Sequence, residues 1–269
     1  MVTILGIPFD ENSSFLRGPA LAPQKIREAF HADSTNYFTE SCRDLKNHPD
    51  CKDAGDILFK PGVNSMLTIE QEVTQILSQT DKLFLLGGDH SITFPIIKGF
   101  YSRFKDLTIL HIDAHGDLYD NYENNPHSHA SPFARIMENR LAKRLVQVGI
   151  RTMTRHQREQ ADRFGVEVIE MKDWNTNFRL QADGPVYISL DIDAIDPAFA
   201  PGVSHYEPGG FSSRDVISIL QNITGKVVGA DLVEFNPTRD SSGITAMLAA
   251  KLYKEIVDVL LTDVTQNKK

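Results

Sequence analysis

The sequence has few cysteines, no long apolar run and no excess of positive charge. Only Cys42 and Cys51 occur among 269 residues, which is too few for a disulfide scaffold, and no neighbouring His or Cys completes a zinc quartet. No stretch of about 18 consecutive apolar residues is present, which argues against a membrane-spanning helix. The formal net charge is −8, so we expect neither nucleic acid nor an anionic membrane as a partner, since both would repel the chain.

The start of the chain and its composition suggest an ordinary globular protein. Residues 1–7 carry no basic leader and no small-residue cleavage site, so they read as a first strand, and we expect a cytoplasmic protein. Hydrophobic residues make up 41% and charged residues 24% of the chain, the balance of a globular fold. With no internal repeat or long linker, the sequence predicts one domain over residues 1–269.

Short apolar runs alternate with amphipathic stretches, a pattern that favours a parallel sheet covered by helices. The predicted strands are Thr3–Phe9, Lys82–Gly87, Leu107–Asp113, Arg144–Ile150, Val166–Glu170, Val186–Asp193 and Lys226–Glu234. The predicted helices are Asn64–Gln79, Ser213–Gln221 and Thr245–Leu261. The Gly- and Pro-rich segment Pro197–Gly210 is too polar and broken for a core element, so we predict a long functional loop there.

Acidic and histidine residues collect where three predicted strands end, and such ends build the ligand crevice of an open α/β sheet. The three clusters are Gly87–Ser91, His111–Asp117 and Ser189–Pro197. Any one aspartate after a strand could simply cap a helix, but three interleaved clusters indicate a site. Within them, His111 lies inside a strand and reads as a buried structural histidine, and Asp196 before Pro197 reads as a turn residue.

The spacing of the acids indicates a metal pair. Asp113, His115 and Asp117 alternate along the chain, as do Asp191 and Asp193, so in extended backbone each set points one way. Buried carboxylates in such a group repel each other, and multivalent cations relieve that repulsion. Two divalent ions would balance four aspartates, and a set of oxygens and imidazoles without thiolate favours Mn²⁺ over structural zinc.

The three clusters resemble those of the ureohydrolase family, which includes arginases, agmatinases, guanidinobutyrases and formiminoglutamases. The similarity extends from Phe9–Ser14 and Arg17–Pro19 through Asp53–Asp56 to Glu234–Pro237. The resemblance implies a three-layer α/β/α sandwich with an eight-stranded, mostly parallel sheet. It also implies homo-oligomers, usually trimers or hexamers, a small guanidino substrate and two Mn²⁺ per chain.

Carried over by position, the resemblance implies a role for each site residue. One manganese would be bound by His90, Asp113, Asp117 and Asp191, and the other by Asp113, His115, Asp191 and Asp193. Glu234 would bind the guanidinium, Asp117 would move a proton to the leaving amine, and His129 would shuttle protons beside the metal pair. The implied reaction releases urea from arginine or agmatine, giving ornithine or putrescine.

The loop sequences leave the substrate open. Where many family members carry Thr-Gly-Thr-Pro, this chain has Val203–Glu207, a version similar to plant-type arginases. The acidic Asp-x-Asp of other arginases is replaced by Thr152–Thr154 after Gly149–Arg151, and we interpret Arg151, Arg155 and Arg158 as a solvated helix face. A guanidinobutyrase or formiminoglutamase, a single-zinc amide hydrolase of the deacetylase kind, and a catalytically silent metal-binding scaffold are the alternatives.

Overall fold

The fold is built on one parallel sheet of eight strands. The computed structural model describes residues 1–262. Its strands are β1 (Val2–Gly6), β2 (Cys51–Asp56), β3 (Lys82–Leu86), β4 (Thr108–Ile112), β5 (Arg144–Ile150), β6 (Glu167–Glu170), β7 (Leu180–Asp191) and β8 (Ile223–Val233). They lie in the order β2-β1-β3-β8-β7-β4-β5-β6, and every neighbouring pair is parallel.

Helices cover both faces of the sheet. One face carries α1 (Ala22–Phe30), α6 (Ser213–Gln221) and α7 (Ile244–Leu261). The other carries α2 (Ser65–Leu77), α3 (Thr93–Tyr101), α4 (Pro132–Glu138) and α5 (Arg155–Phe164). The predicted three-layer α/β/α sandwich is therefore confirmed. One domain over residues 1–269 stays a prediction, and residues 263–269 lie outside the described part of the chain.

The apolar run in β3 shows why this strand is buried on both faces. Phe84 and Leu86 belong to the core beneath α1, α6 and α7, whereas Leu83 and Leu85 belong to the core beneath α2 to α5. All four side chains are fully buried, and burying one such side chain stabilises a fold by about 1.5–3 kcal/mol. No helix among residues 1–262 is long and apolar enough to cross a membrane.

The edge strand β2 and several helices were not predicted from the sequence. The strand β2 is mostly exposed and polar, and it pairs only with β1 at the edge of the sheet, so no apolar pattern marks it. The helix α3 contains Pro95 and Gly99, which obscure a helical pattern, although proline is tolerated in the first turn. Helices α1 and α4 were also not predicted, and of α5 only the exposed arginine face was.

The order of the strands gathers the predicted site residues. The strands β3, β8, β7 and β4 are consecutive neighbours, so their carboxyl ends meet along one short stretch of the sheet edge. Asp113 and Asp191 stand at the ends of β4 and β7, and Glu234 follows β8. His90 begins a turn of 3-10 helix just after β3. The tight approach of Gly88 to the carbonyl of Phe9 leaves no room for a Cβ atom there.

Candidate metal centre

Six predicted ligands converge at the carboxyl ends of β3, β4 and β7. Five of them are buried and His115 is half-buried. Their ligand atoms lie close enough to surround ions at two positions, and Asp113 belongs to both. The six residues are His90, Asp113, His115, Asp117, Asp191 and Asp193.

The first position is defined by His90. Its Nδ1 lies 3.1 Å from Asp113 Oδ2, 3.1 Å from Asp117 Oδ2 and 3.2 Å from Asp191 Oδ2. This nitrogen is buried, and although the three oxygens are close, it makes no hydrogen bond among the described residues. A buried nitrogen without a hydrogen bond, facing three carboxylate oxygens, fits the ligand sphere of a cation. The donor set therefore suits the metal that the sequence predicts.

The second position is defined by His115. Its Nδ1 lies 3.1 Å from Asp193 Oδ2 and 3.4 Å from Asp113 Oδ1. Asp113 thus presents Oδ2 to the first position and Oδ1 to the second, as expected of a bridging ligand. No cysteine contributes, since Cys42 is exposed and Cys51 lies on the edge strand β2.

Backbone amides hold the carboxylates in place. Asp113 Oδ1 accepts a 2.6 Å bond from the amide of His115, and Asp191 Oδ1 accepts a 2.7 Å bond from the amide of Asp193. The amide of Ala114 donates to Asp193 Oδ1 at 3.3 Å. One oxygen of each aspartate is fixed by the backbone in this way, so the turns after β4 and β7 orient the carboxylates before any ion binds.

The electrostatics show that the cluster needs positive charge. Burial, reinforced by Asp193 and Asp113, raises the pKa of Asp191 well above its ordinary value. Burial alone would lower the pKa of His90, but three carboxylates outweigh it and raise that pKa well above the ordinary range. Without metal the cluster therefore retains protons, and divalent cations would replace them.

A second layer of hydrogen bonds fixes the ring of His90. Its Nε2 lies 2.9 Å from Ser189 Oγ, and that hydroxyl donates to Asp231 Oδ1 at 2.7 Å. The hydroxyls of Tyr187 and Thr93 both donate to Asp231 Oδ2 at 2.8 Å. Because Ser189 gives its proton to Asp231, Nε2 of His90 must donate to Ser189. In the neutral ring, once a cation has displaced the second proton, Nδ1 is left with the lone pair that a metal ligand requires.

His111 is the buried structural histidine that the sequence indicates. Its Nε2 lies 2.7 Å from Asp113 Oδ2, and Gln147 Nε2 donates to its Nδ1 at 3.0 Å. The ring lies close enough to the first position to count among possible ligands. Both nitrogens are already engaged, however, so we assign His111 to orienting Asp113.

Glu234 and His129 form a buried pair beside the cluster. Glu234 Oε1 accepts 2.9 Å and 2.8 Å bonds from the amide of His90 and from Nδ1 of His129. Glu234 is a non-glycine residue with a φ of 62°, a conformation that costs about 1–3 kcal/mol and often marks functional sites. Burial would lower the pKa of His129, but Glu234 outweighs it and raises that pKa to about 9.

A cavity of about 170 Å³ opens above the cluster. Six predicted site residues line it: His115, Asp117, His129, Asp191, Asp193 and Glu234. Its other lining residues were not predicted as site residues, and most of them are isolated hydroxyl or amide side chains that carry no pattern. They are Ser14, Tyr119, Tyr122, Ala130, Thr152, Thr154, Gln157 and His205. For His205 a signal existed, because it lies in the loop predicted to be functional.

The prediction that Arg151 belongs to a solvated helix face is wrong. Arg155 and Arg158 lie on α5 as a solvated helix face should, but Arg151 precedes the helix and is half-buried. Its guanidinium donates to the backbone carbonyls of Asp193 and Glu207 at 2.7 Å and 2.6 Å. It therefore ties the loop that carries His205 to a predicted ligand. Asp196 is a turn residue as predicted, accepting bonds from the amides of Ala198, Gly209 and Gly210.

The sequence profile of the Arginase family matches residues 1–258. The chain belongs to the arginase family. It is 47% identical to arginase 1, mitochondrial, of Arabidopsis thaliana over 94% of this chain and 79% of that protein. It is 34% identical to an agmatinase of Bacillus cereus over 95% and 90% of the two chains. The arginase structure from Medicago truncatula superposes with a TM-score of 0.90 at 42% identity, covering 96% and 87%.

These relatives confirm the predicted resemblance, and this arginase-family chain is a hydrolase. They contradict the prediction of a cytoplasmic protein, because relatives from Arabidopsis thaliana carry the names mitochondrial and chloroplastic/mitochondrial. That prediction used composition and the first residues. An organelle address is read by import receptors and leaves no mark on the packing of a catalytic fold.

Proposed function

We propose that this arginase-family chain hydrolyses the guanidino group of arginine, with agmatine as the second candidate, and releases urea. The observation that carries the proposal is a buried cluster of six oxygen and nitrogen ligands with the Glu234 carboxylate beside it in the same cavity. An anion next to a metal centre is suited to a substrate that is itself a cation. Assembly into trimers or hexamers stays a prediction.

Two Mn²⁺ ions are the proposed cofactors. The first would be held by His90, Asp113, Asp117 and Asp191, and the second by Asp113, His115, Asp191 and Asp193. When bound, such ions supply Lewis acidity and make water nucleophilic near neutral pH. Two observations support this assignment: Nδ1 of His90 makes no hydrogen bond among the described residues, and the carboxylate of Asp113 faces both positions.

Glu234 is proposed to bind and orient the guanidinium. Its Oε1 is committed to His90 and His129, whereas Oε2 accepts no hydrogen bond in the described part of the chain. Glu234 lines the cavity, so Oε2 is available to guanidinium N–H groups. Such charge-assisted bonds are stronger than neutral ones and fix direction.

Two residues are proposed to move protons. A carboxylate oxygen of Asp117 would accept the proton of the attacking water and pass it to the leaving nitrogen. Asp117 has a φ of 48° and so adopts the left-handed conformation, as Glu234 does. His129, next to Glu234, would exchange protons with the cavity.

The cavity wall favours arginine over agmatine. Tyr119, Tyr122 and Thr154 also line the cavity, and their hydroxyls are donors suited to an α-carboxylate that agmatine lacks. Gln157 lines the cavity, and its buried amide oxygen makes no hydrogen bond among the described residues, so a rotation of this side chain would let it accept from the amino group that both compounds share. The higher identity to an arginase than to an agmatinase, 47% against 34%, supports the same order.

A urea-release assay on Mn²⁺-loaded protein tests the proposal. Arginine, agmatine, guanidinobutyrate and formiminoglutamate are compared, with chelator-treated protein as the control. We expect urea from arginine at the highest kcat/KM and none after chelation. Full activity with one zinc per chain would instead indicate the deacetylase kind of hydrolase. Metal binding without turnover of any of the four would indicate a silent scaffold.

A further inference from the structure

Ser14 lies in a segment that is hydrogen-bonded to a buried aspartate. This segment, residues 10–14, follows β1 and passes over the start of the turn that carries His90. Asp89 Oδ2 accepts bonds from the amide of Asn12 at 3.0 Å and from the hydroxyl of Ser13 at 3.2 Å. Asp89 itself is fully buried. The backbone of residues 12–14 is thereby held in one place, and Ser14 lines the cavity.

Both ring nitrogens of His129 are engaged within the protein. Nδ1 lies 2.8 Å from Glu234 Oε1, and Nε2 lies 2.8 Å from Ser14 Oγ and 3.2 Å from the Ser14 amide nitrogen. The ring is only 8% exposed, so little of it reaches the cavity directly. A proton that leaves His129 must therefore pass through Glu234 or through Ser14.

The two routes for a proton, through Glu234 and through Ser14, differ in their chemistry. In the proposed function Glu234 must stay an anion to hold the guanidinium, so a proton placed on it would weaken substrate binding. The Ser14 hydroxyl can accept a proton on one side and release one on the other, and it remains a neutral hydroxyl. The amide of Ser14 can only donate, so it stabilises Nε2 in its unprotonated form after the proton has left.

From this geometry we propose that Ser14 relays protons between His129 and the cavity. The inference rests on the proposed function, in which His129 exchanges protons with the cavity. In the transfer, the Nε2 proton moves to Ser14 Oγ while the original Ser14 hydroxyl proton moves to the amine that the Asp117 proton has released, which becomes an ammonium ion. The N–H bond of the imidazolium and the old O–H bond break, and new O–H and N–H bonds form. His129 ends neutral with Nδ1–H still donating to Glu234.

The test compares Ser14→Ala, which lacks the relay, with Ser14→Thr, which keeps a hydroxyl. Ser13→Ala is the matched control, because Ser13 is in the same segment but its hydroxyl binds Asp89. We expect Ser14→Ala to lower kcat on arginine by about 100-fold with little change in KM, at the lower end of the range of acid–base effects. Ser14→Thr should recover most of the rate, and Ser13→Ala should lose less than Ser14→Ala, because the amide of Asn12 still binds Asp89.

A double mutant shows whether Ser14 acts through His129. If it does, adding Ser14→Ala to His129→Asn should cause little further loss, since the relay has no donor left. Manganese content and melting temperature are measured for every variant and should match wild type for Ser14→Ala. A loss equal in Ser13→Ala and Ser14→Ala, or fully additive with His129→Asn, would overturn the relay.

The assay also separates this inference from the function on which it rests. A wild-type protein that releases urea, together with a Ser14→Ala variant of unchanged kcat, would refute the relay alone. If Ser14→Ala does not fold, Ser14→Thr decides, because a threonine variant as slow as His129→Asn contradicts a role for the hydroxyl. A wild-type protein that releases no urea from arginine or agmatine would refute both.

Discussion

Replacing Glu234 by glutamine separates substrate binding from metal binding. The amide of Glu234→Gln can still accept from the His90 amide and from Nδ1 of His129 through one oxygen, so the local hydrogen bonds are retained. What is lost is the negative charge that faces the guanidinium. The second oxygen is replaced by an NH₂ group, which is a donor where the substrate also presents donors.

The size of the effect follows from burial. Glu234 is 4% exposed, so water compensates little for a lost charge. Removing one partner of a buried, hydrogen-bonded charge pair costs about 2–5 kcal/mol, which is roughly 30- to several-thousand-fold in kcat/KM. Because arginine and agmatine share the guanidinium, both substrates should lose about the same factor.

The assay measures urea release from both substrates, together with manganese by elemental analysis. Glu40→Gln is the matched control, because it makes the same chemical change on an exposed ion pair with Arg214, outside the cavity. Manganese content should stay unchanged in Glu234→Gln, since Glu234 is not a predicted ligand. A variant that loses its manganese, or loses activity on only one substrate, would refute the assignment of Glu234 to the guanidinium.

The remaining predictions concern the cluster and the acid stability of the fold. Asp191→Asn should lower metal affinity and turnover together, by more than the roughly 10–100-fold typical of residues outside the ligand sphere. Asp183→Asn, exposed at the far end of β7, should change neither, and near-normal activity in Asp191→Asn would contradict the bridging role. The hydrogen bond from Arg214 lowers the pKa of Glu40 from an ordinary 4.5 to about 2. Its stabilising contribution is therefore present above about pH 4.5 and lost as pH falls toward 2. Measured by denaturant unfolding, the free energy of unfolding of Glu40→Gln should fall less between about pH 4.5 and 2 than that of wild type. The same pH dependence in both proteins would contradict a stabilising Glu40–Arg214 pair.

Elements with an apolar pattern that faces a core were the ones that the sequence predicted well. The strand β5 has the predicted bounds, Arg144–Ile150, and so does α6, Ser213–Gln221. Each carries an apolar pattern that burial imposes on it. The edge strand β2 has exposed polar residues instead, because its partner β1 covers only one edge. Nothing in its composition distinguishes it from a loop.

The sequence grouped the predicted metal ligands because side chains two residues apart in extended backbone point the same way. It could not predict the residues that contact them from distant parts of the chain. Asp113 and Asp191 lie at the ends of strands that are adjacent in the sheet, and the sequence predicted that both lie at strand ends. The contact between Ser14 and His129 joins residues 115 positions apart. It depends on how two irregular segments pack, and no periodicity records that. Arg151 was misassigned for the same reason, since its partners are backbone carbonyls of a distant loop.

The most direct test of the central claim is the ratio of Mn²⁺ to protein at which urea release from arginine reaches its maximum. Metal-free protein is titrated with Mn²⁺, and bound metal and urea are measured at each step. Six ligands arranged around two positions, with Asp113 in both, predict a maximum at two ions per chain. A maximum at one ion, activity that is independent of Mn²⁺, or no urea at two bound ions would contradict the account.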